Sequence, residues 1–156
     1  MPSFQTQRRI GHTAAQMFAL VADIAAYPEF VPMCLTLRVR SRTPDGEGRT
    51  ILVADMEAGY KAIREKFTSR VTLDEAGNQI LVEYIDGPFS HLINRWNFAD
   101  LADGNSPACR VDFFIDYAFK SRMLGLLVGG MFDIAFRKMV EAFEKRADQV
   151  YGRPIA

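Results

Sequence analysis

The residues able to do chemistry are few and scattered. The chain holds two histidines, His12 and His91, and two cysteines, Cys34 and Cys109. Both histidines fall beside turn-forming residues, and no H-x-x-x-H or C-x-x-C spacing presents ligands to a metal. No G-x-S-x-G offers a nucleophile on a strained turn. Gly129-Gly130 lacks the Lys-Ser/Thr that follows in a phosphate-cradling loop, and Gly87-Pro88-Phe89 reads as a turn. Asp112 and Asp116 are spaced to share one strand face with Phe114, which describes a solvated edge better than an acid–base pair. Glu65 stands apart. Alternation puts it on the face of Ile63 and Phe67, where an inward carboxylate could hold a polar head group or move a proton. A paired or rim-exposed glutamate fits the same pattern. An acid–base enzyme would have only Glu65 and Tyr117 to work with, so no catalytic residue, no metal and no required cofactor are expected.

What the chain does have is large, soft apolar side chains: 12 Phe, 7 Met, 5 Tyr and 1 Trp. Methionine adapts to irregular shapes, so this supply suits a cavity for a greasy ligand as well as a packed core; composition leaves both open. The segment 123–132 is apolar all round and contains Gly125, Gly129 and Gly130, each costing a helix ~1 kcal/mol relative to alanine. It reads either as a helix start buried on every side, its glycines admitting the sheet, or as a mobile gate or membrane-touching surface. It is too short to span a bilayer.

These side chains need elements to position them. Ser3–Ile10 reads as a strand ended by Gly11, and Thr13 as the N-cap of a helix with Ala14, Met17, Phe18, Leu20, Val21 and Ile24 at helical spacing. Pro28 and Pro32 break that helix. Leu35, Leu37 and Val39 then alternate with Thr36, Arg38 and Arg40 as a half-buried strand. Turn chemistry at 44–48, 74–78, 87–88 and 103–107 separates further strands over 50–56, 61–73, 79–85 and 92–98, with a last one through Val111, Phe113, Ile115, Tyr117 and Phe119. Leu92, Asn94, Trp96 and Phe98 should share a face. Residues 121–151 read as one long helix, amphipathic in its second half. The expected fold is α+β, in the order β-α-β6-α: a curved antiparallel sheet of about seven strands around a long C-terminal helix.

Bulk properties narrow the function. The 156 residues make one domain, taken as 1–152 with 153–156 as a tail. Lys+Arg and Asp+Glu are both 19, so no global field draws the chain to nucleic acid. Met1-Pro2-Ser3-Phe4-Gln5 does not read as a signal peptide, and the cysteines read as reduced packing residues. A cytoplasmic protein is expected, peripheral at the inner membrane at most.

Three separated motifs carry a resemblance. Phe18-Ala19-Leu20-Val21-Ala22-Asp23-Ile24 with 27–34 (Tyr-Pro-Glu-Phe-Val-Pro-Met-Cys), then Asp86-Gly87-Pro88-Phe89 with Leu92 and Trp96-Asn97-Phe98, and finally Ala142-Phe143-Glu144-Lys145-Arg146-Ala147 with Val150-Tyr151-Gly152, resemble the coenzyme-Q-binding START-domain family. That family sits in the polyketide-cyclase and lipid-transport superfamily, whose helix-grip fold agrees with the pattern above. The resemblance implies binding of ubiquinone or a similar isoprenoid lipid as a chaperone for respiratory electron transport. It equally implies the family's bacterial branch, described as a ribosome-association toxin that hinders subunit joining, and more remotely a polyketide cyclase or aromatase. For a lipid cavity the candidate lining is Phe67, Trp96, Phe113, Tyr117, Leu127, Met131, Phe132, Phe136 and Met139, with Phe30 and Val31 near the mouth between Pro28 and Pro32. A ribosomal partner would call for an outward basic stripe, for which Arg38, Arg40, Arg42, Arg64, Lys66 and Arg70 are candidates.

Overall fold

The computed structural model describes residues 3–102, 104 and 106–153. Asp103 and Asn105 of the expected turn, and residues 154–156 of the expected tail, lie outside them. The order is β1 (Ser3–Ile10), α1 (Ala14–Ala22), a 3-10 turn (Ile24–Glu29), β2 (Cys34–Pro44), β3 (Thr50–Tyr60), β4 (Ile63–Asp74), β5 (Gln79–Asp86), β6 (Phe89–Asp100), β7 (Cys109–Phe119), α2 (Arg122–Arg137) and α3 (Met139–Tyr151). The strands form one seven-stranded antiparallel sheet, ordered β1-β7-β6-β5-β4-β3-β2. β2 to β7 is a continuous meander, and β1 closes beside β7 because α1 carries the chain from one edge to the other.

Local chemistry sets the first helix. Thr13 and Gln16 form a reciprocal capping box, with Gln16 N–H donating to Thr13 Oγ1 at 3.0 Å and Thr13 N–H to Gln16 Oε1 at 2.9 Å. Ala14 N–H donates to Asp100 Oδ1 at 2.8 Å, tying the helix start to the end of β6. Ala14, Met17, Phe18 and Val21 are its buried face. β2 differs from the half-buried strand expected. As an edge strand covered only in part by the 3-10 turn, it leaves Leu35 and Val39 exposed while Leu37 is partly buried.

The single helix expected over 121–151 is two, broken at Lys138. The halves dock on different partners. α2 rests on the end of β7, where Gly125 and Gly129 give room to the Phe119 ring: a Cβ on them would lie 3.3 and 3.6 Å from it. α3 continues over the same face toward the N-terminal elements, with Phe143 edge-on to Tyr27 and Phe30 at ring separations of 5.3 and 4.9 Å. Buried His12 meets Asp148 at 2.7 Å, and Arg8 meets Glu144 at 2.7 Å.

The strand register defines two ends of the sheet. One collects the β3–β4 turn, the β5–β6 turn and the passage from β7 into α2. The other collects the β2–β3, β4–β5 and β6–β7 connections. Cys34 begins β2 at the first end and Cys109 begins β7 at the second, so the two buried thiols are far apart and free.

Candidate functional site

Inward positions on neighbouring strands line up in rows across the concave face. Met56 pairs with Phe67, and Ala54 with Ser69. A longer row runs Val71, Val82, Asn94, Ile115 across β4 to β7, beside the pair Trp96 and Phe113. Phe136, Met139 and Phe143 cover this floor, and Ile24, Tyr27 and Leu37 close one side. The void between them is about 90 Å³ and partly open. Pockets that hold small molecules run from ~300 Å³ upward, so a lipid could enter only by displacing the cover. The cover is divided at the right place: Phe136 and Met139 flank the break at Lys138, and both line the void.

The lining is hydrocarbon with few polar groups, of which the indole, the amide and the phenol are engaged. Trp96 Nε1–H donates to Asn94 Oδ1 at 2.9 Å, and Asn94 Nδ2–H to the Phe114 carbonyl at 2.9 Å. Tyr27 donates its hydroxyl to the Val21 carbonyl. Burial raises the pKa of Tyr27, and of Tyr117 nearby, so both stay protonated and neutral in the physiological range. Burial also pushes the Cys34 and Cys109 thiols up to about 11, away from nucleophilic thiolate. Such a site is built to exclude water from apolar surface.

Of the residues expected to line a cavity, the structure brings together Phe67, Trp96, Phe113, Phe136 and Met139. Tyr117 and Phe132 are buried in an aromatic cluster with Phe89 and Phe119, and Met131 is buried too; none of the three lines the void. Leu127 is corrected outright: it is 65% exposed, on the helix face turned away from the sheet. Phe30 and Val31 do not reach the void. Phe30 lies under the Arg146 guanidinium at 4.9 Å and lines a separate surface cleft, while Val31 is buried. Glu65 is on the inward face by register, opposite Ala58, but near the tip of the β3–β4 hairpin and outside the cavity. Leu37, Ala54, Met56, Val71, Val82 and Leu92 were missed. The alternation that selected Phe67 and Trp96 continues through them.

The outer face of the same strands is charged. Arg38, Arg64, Lys66 and Arg70 point outward by register; Arg42, opposite buried Leu52, instead lies on the inner side at the edge. Carboxylates interleave with the cations. Arg40 meets Asp55 at 2.7 Å, Arg70 meets Glu83 at 3.3 Å and Arg64 meets Glu57 at 4.0 Å. The Thr68 hydroxyl, donating at 2.6 Å, and then Arg40 hold Asp55 below the ordinary carboxylate range. A groove of about 440 Å³ here combines Arg38, Arg40 and Lys66 with Asp55, Glu57 and Asp86. It is a surface of mixed sign, unlike the basic stripe expected.

Among the described residues no cluster of three or more His, Cys, Asp or Glu could hold a metal ion, and no helix is long and apolar enough to cross a membrane.

Comparison with known proteins agrees with this architecture. A family model described as polyketide cyclase/dehydrase and lipid transport matches residues 10–144. The chain is similar to the ribosome association toxin RatA of Escherichia coli strain K12, 34% identical over 97% of this chain and 90% of that protein. It is also similar to the mitochondrial coenzyme Q-binding protein COQ10 homolog B of Xenopus laevis, 30% identical over 96% of this chain and 59% of that protein. The solution structure of an 18 kDa protein from Caulobacter crescentus is 36% identical, with a TM-score of 0.76 over 97% of this chain and 99% of that one. The Zhui aromatase/cyclase from a Streptomyces species superposes with a TM-score of 0.77 over 95% and 94% at 13% identity, which shows the shared helix-grip fold alone.

Proposed function

Because the chain belongs to the polyketide cyclase/dehydrase and lipid-transport family, we propose that it binds ubiquinone or a similar isoprenoid lipid between the sheet and its C-terminal helices. It would act as a lipid chaperone supporting respiratory electron transport, cytoplasmic and peripheral at the inner membrane. No cofactor is required and no reaction is catalysed; the lipid is cargo. The observation that carries this reading is the apolar lining beneath a cover broken at Lys138. Opening that joint would expose Phe136, Met139 and the floor from Met56 to Trp96 to a lipid tail, whose burial contributes ~25 cal/mol per Å². The name of the coenzyme Q-binding relative supports the choice of ligand. The test is organic extraction of protein made in a quinone-containing host, followed by mass spectrometry, with titration of a short-chain quinone against Trp96 fluorescence. Co-purified quinone and saturable quenching are expected; neither would appear if the reading is wrong.

A second reading is favoured by the similarity to RatA, which spans 90% of that protein. On it the chain would hinder joining of ribosomal subunits, through the charged outer groove of β2 to β4. Sucrose-gradient profiles of subunits with added protein decide this. A dose-dependent loss of joined ribosomes, reversed by Lys66→Glu with Arg38→Glu, supports it, and unchanged joining refutes it.

A further inference from the structure

The three most exposed large apolar side chains among the described residues are neighbours on one helix face. Leu126 is 80% exposed, Met123 72% and Leu127 65%, at i, i+3 and i+4 in the first turns of α2. The opposite face of α2 is buried through Val128, Met131 and Phe132, so the helix is not loose; it is turned outward deliberately at this patch. Tyr60 and Ile63, 50% and 37% exposed, stand on the β3–β4 turn at the same end of the sheet.

Basic groups outnumber acidic ones there: Lys61, Arg64, Lys66, Lys120 and Arg122 stand against Glu65 and Asp86. Lys120 and Arg122 flank the start of α2, whose first turn holds no acidic residue. Cations are disfavoured at a helix N-terminus, so something outside the helix should compensate them. Lys61 occupies the hairpin tip at φ 57°, a left-handed conformation costly for a lysine, with its ammonium 5.3 Å from the Tyr60 ring. None of these three cations meets a carboxylate of the described residues within ion-pair distance. The opposite end of the sheet carries Asp45, Glu47, Asp74 and Glu75 in its turns. Arg49 is the cation among them, paired with Asp45 and Glu47, so a chain of zero net charge has a basic excess at its apolar end and an acidic excess at the other.

We propose that the basic, apolar end docks on an anionic lipid bilayer, with the first two turns of α2 lying in the interface and Lys61, Lys120 and Arg122 at head-group level. This rests on the lipid-carrying reading for its purpose, and it adds where the cargo would pass. A basic face joined to an apolar face is the pattern of interfacial helices. The acidic end would be repelled, which fixes orientation. A second copy of the chain is a poor occupant, because a twofold contact would set these cations against themselves. Docking also engages the helix whose inner face leads into the cavity cover, at Phe136.

The test is co-sedimentation of the full chain with phosphatidylcholine vesicles and with vesicles containing phosphatidylglycerol, without added quinone. Binding to the anionic vesicles alone is expected. Leu126→Asp with Leu127→Asp should weaken it more than about tenfold, and Lys120→Gln or Arg122→Gln about fivefold each. Both leucines are exposed, so circular dichroism and melting should match the parent. Failure to bind anionic vesicles, or equal binding by the double variant, overturns the proposal. So does sedimentation velocity showing a dimer that the double variant abolishes. Quinone titration in vesicle-free solution reads the cavity separately, so the docking surface and the cargo can fail independently.

Discussion

At the end of the sheet holding the 44–50 and 74–79 turns, polar groups close on one another. Asp45 accepts from the Glu47 and Arg49 amides at 2.8 and 3.1 Å and from Arg49 Nε at 2.6 Å, and Asp74 accepts from the Gly77 amide at 3.0 Å. At the other end, five aromatic rings surround Phe89: Phe67, Tyr84, Tyr117, Phe119 and Phe132, all with centroids within 6.1 Å. Yet the surface outside that cluster leaves Leu126 and Leu127 exposed, and Lys120 and Arg122 meet no carboxylate among the described residues. The first end satisfies itself and needs only to hold hairpins in register. The second is tightly packed within and incomplete without, which is where a surface waiting for a partner should be found.

The contrast is broken most severely through Phe89. Its side chain is fully buried, so Phe89→Ala should cost about 4 kcal/mol in urea denaturation, by lost burial and a cavity. No single residue in the far turns should approach that. A loss below 1 kcal/mol would mean the aromatic cluster does not organise this end.

Glycines sharpen the contrast next. Gly87, at φ 142°, sits so close to β4 that an added Cβ would lie 2.5 Å from Phe67 Cβ and 2.9 Å from the Lys66 carbonyl oxygen. Gly48, at φ 85°, faces open space. Gly87→Ala should therefore cost about 3 kcal/mol, combining a disfavoured φ with overpacking, and Gly48→Ala about 1 kcal/mol from φ alone. Equal costs would show that the Gly87 turn can yield.

That turn also shows what was legible in the sequence. Asp86-Gly87-Pro88-Phe89 stood out as a motif, and its physical cause is the approach of Gly87 to Phe67. Alternation, with turn chemistry between the runs, located the seven strands, and alternation found the shared face of Leu92, Asn94, Trp96 and Phe98, all four of them buried. It failed where no contrast in polarity existed. Residues 123–132 are apolar on every side, so nothing phased Leu127 outward. The apolar spacing of Phe136, Met139, Val140 and Phe143 runs unbroken through Lys138, so nothing marked the break. The two halves pack on different partners, α2 on Phe119 just before it and α3 on Tyr27, Phe30 and His12, which are far away in sequence.

Within α2 the glycines should part company. Gly130 has open space where a Cβ would sit, so Gly130→Ala should stabilise the fold by about 1 kcal/mol through helix propensity. Gly125→Ala must push the Phe119 ring and should lose that gain. If a weak helix helps the cover open, Gly130→Ala should also slow quinone release in stopped-flow measurements. Faster release would separate helix stability from gating.

The smallest effect belongs to the acidic end and concerns pH. The Glu47 amide, and after it Arg49, hold Asp45 below the ordinary carboxylate range. A carboxylate with a depressed folded pKa adds stability that is fully present above its unfolded value, ~3.9, and is lost as pH falls through the folded one. Asp45→Asn should accordingly lower the melting temperature slightly at neutral pH and reduce its decline below pH ~4. Asp55, midway along the sheet, keeps its own share of that decline. Lys61→Gln, at the basic end, removes no carboxylate and should leave the acid limb unchanged. An acid limb that responds equally to both substitutions would mean that the two ends are coupled through the sheet rather than built as separate devices.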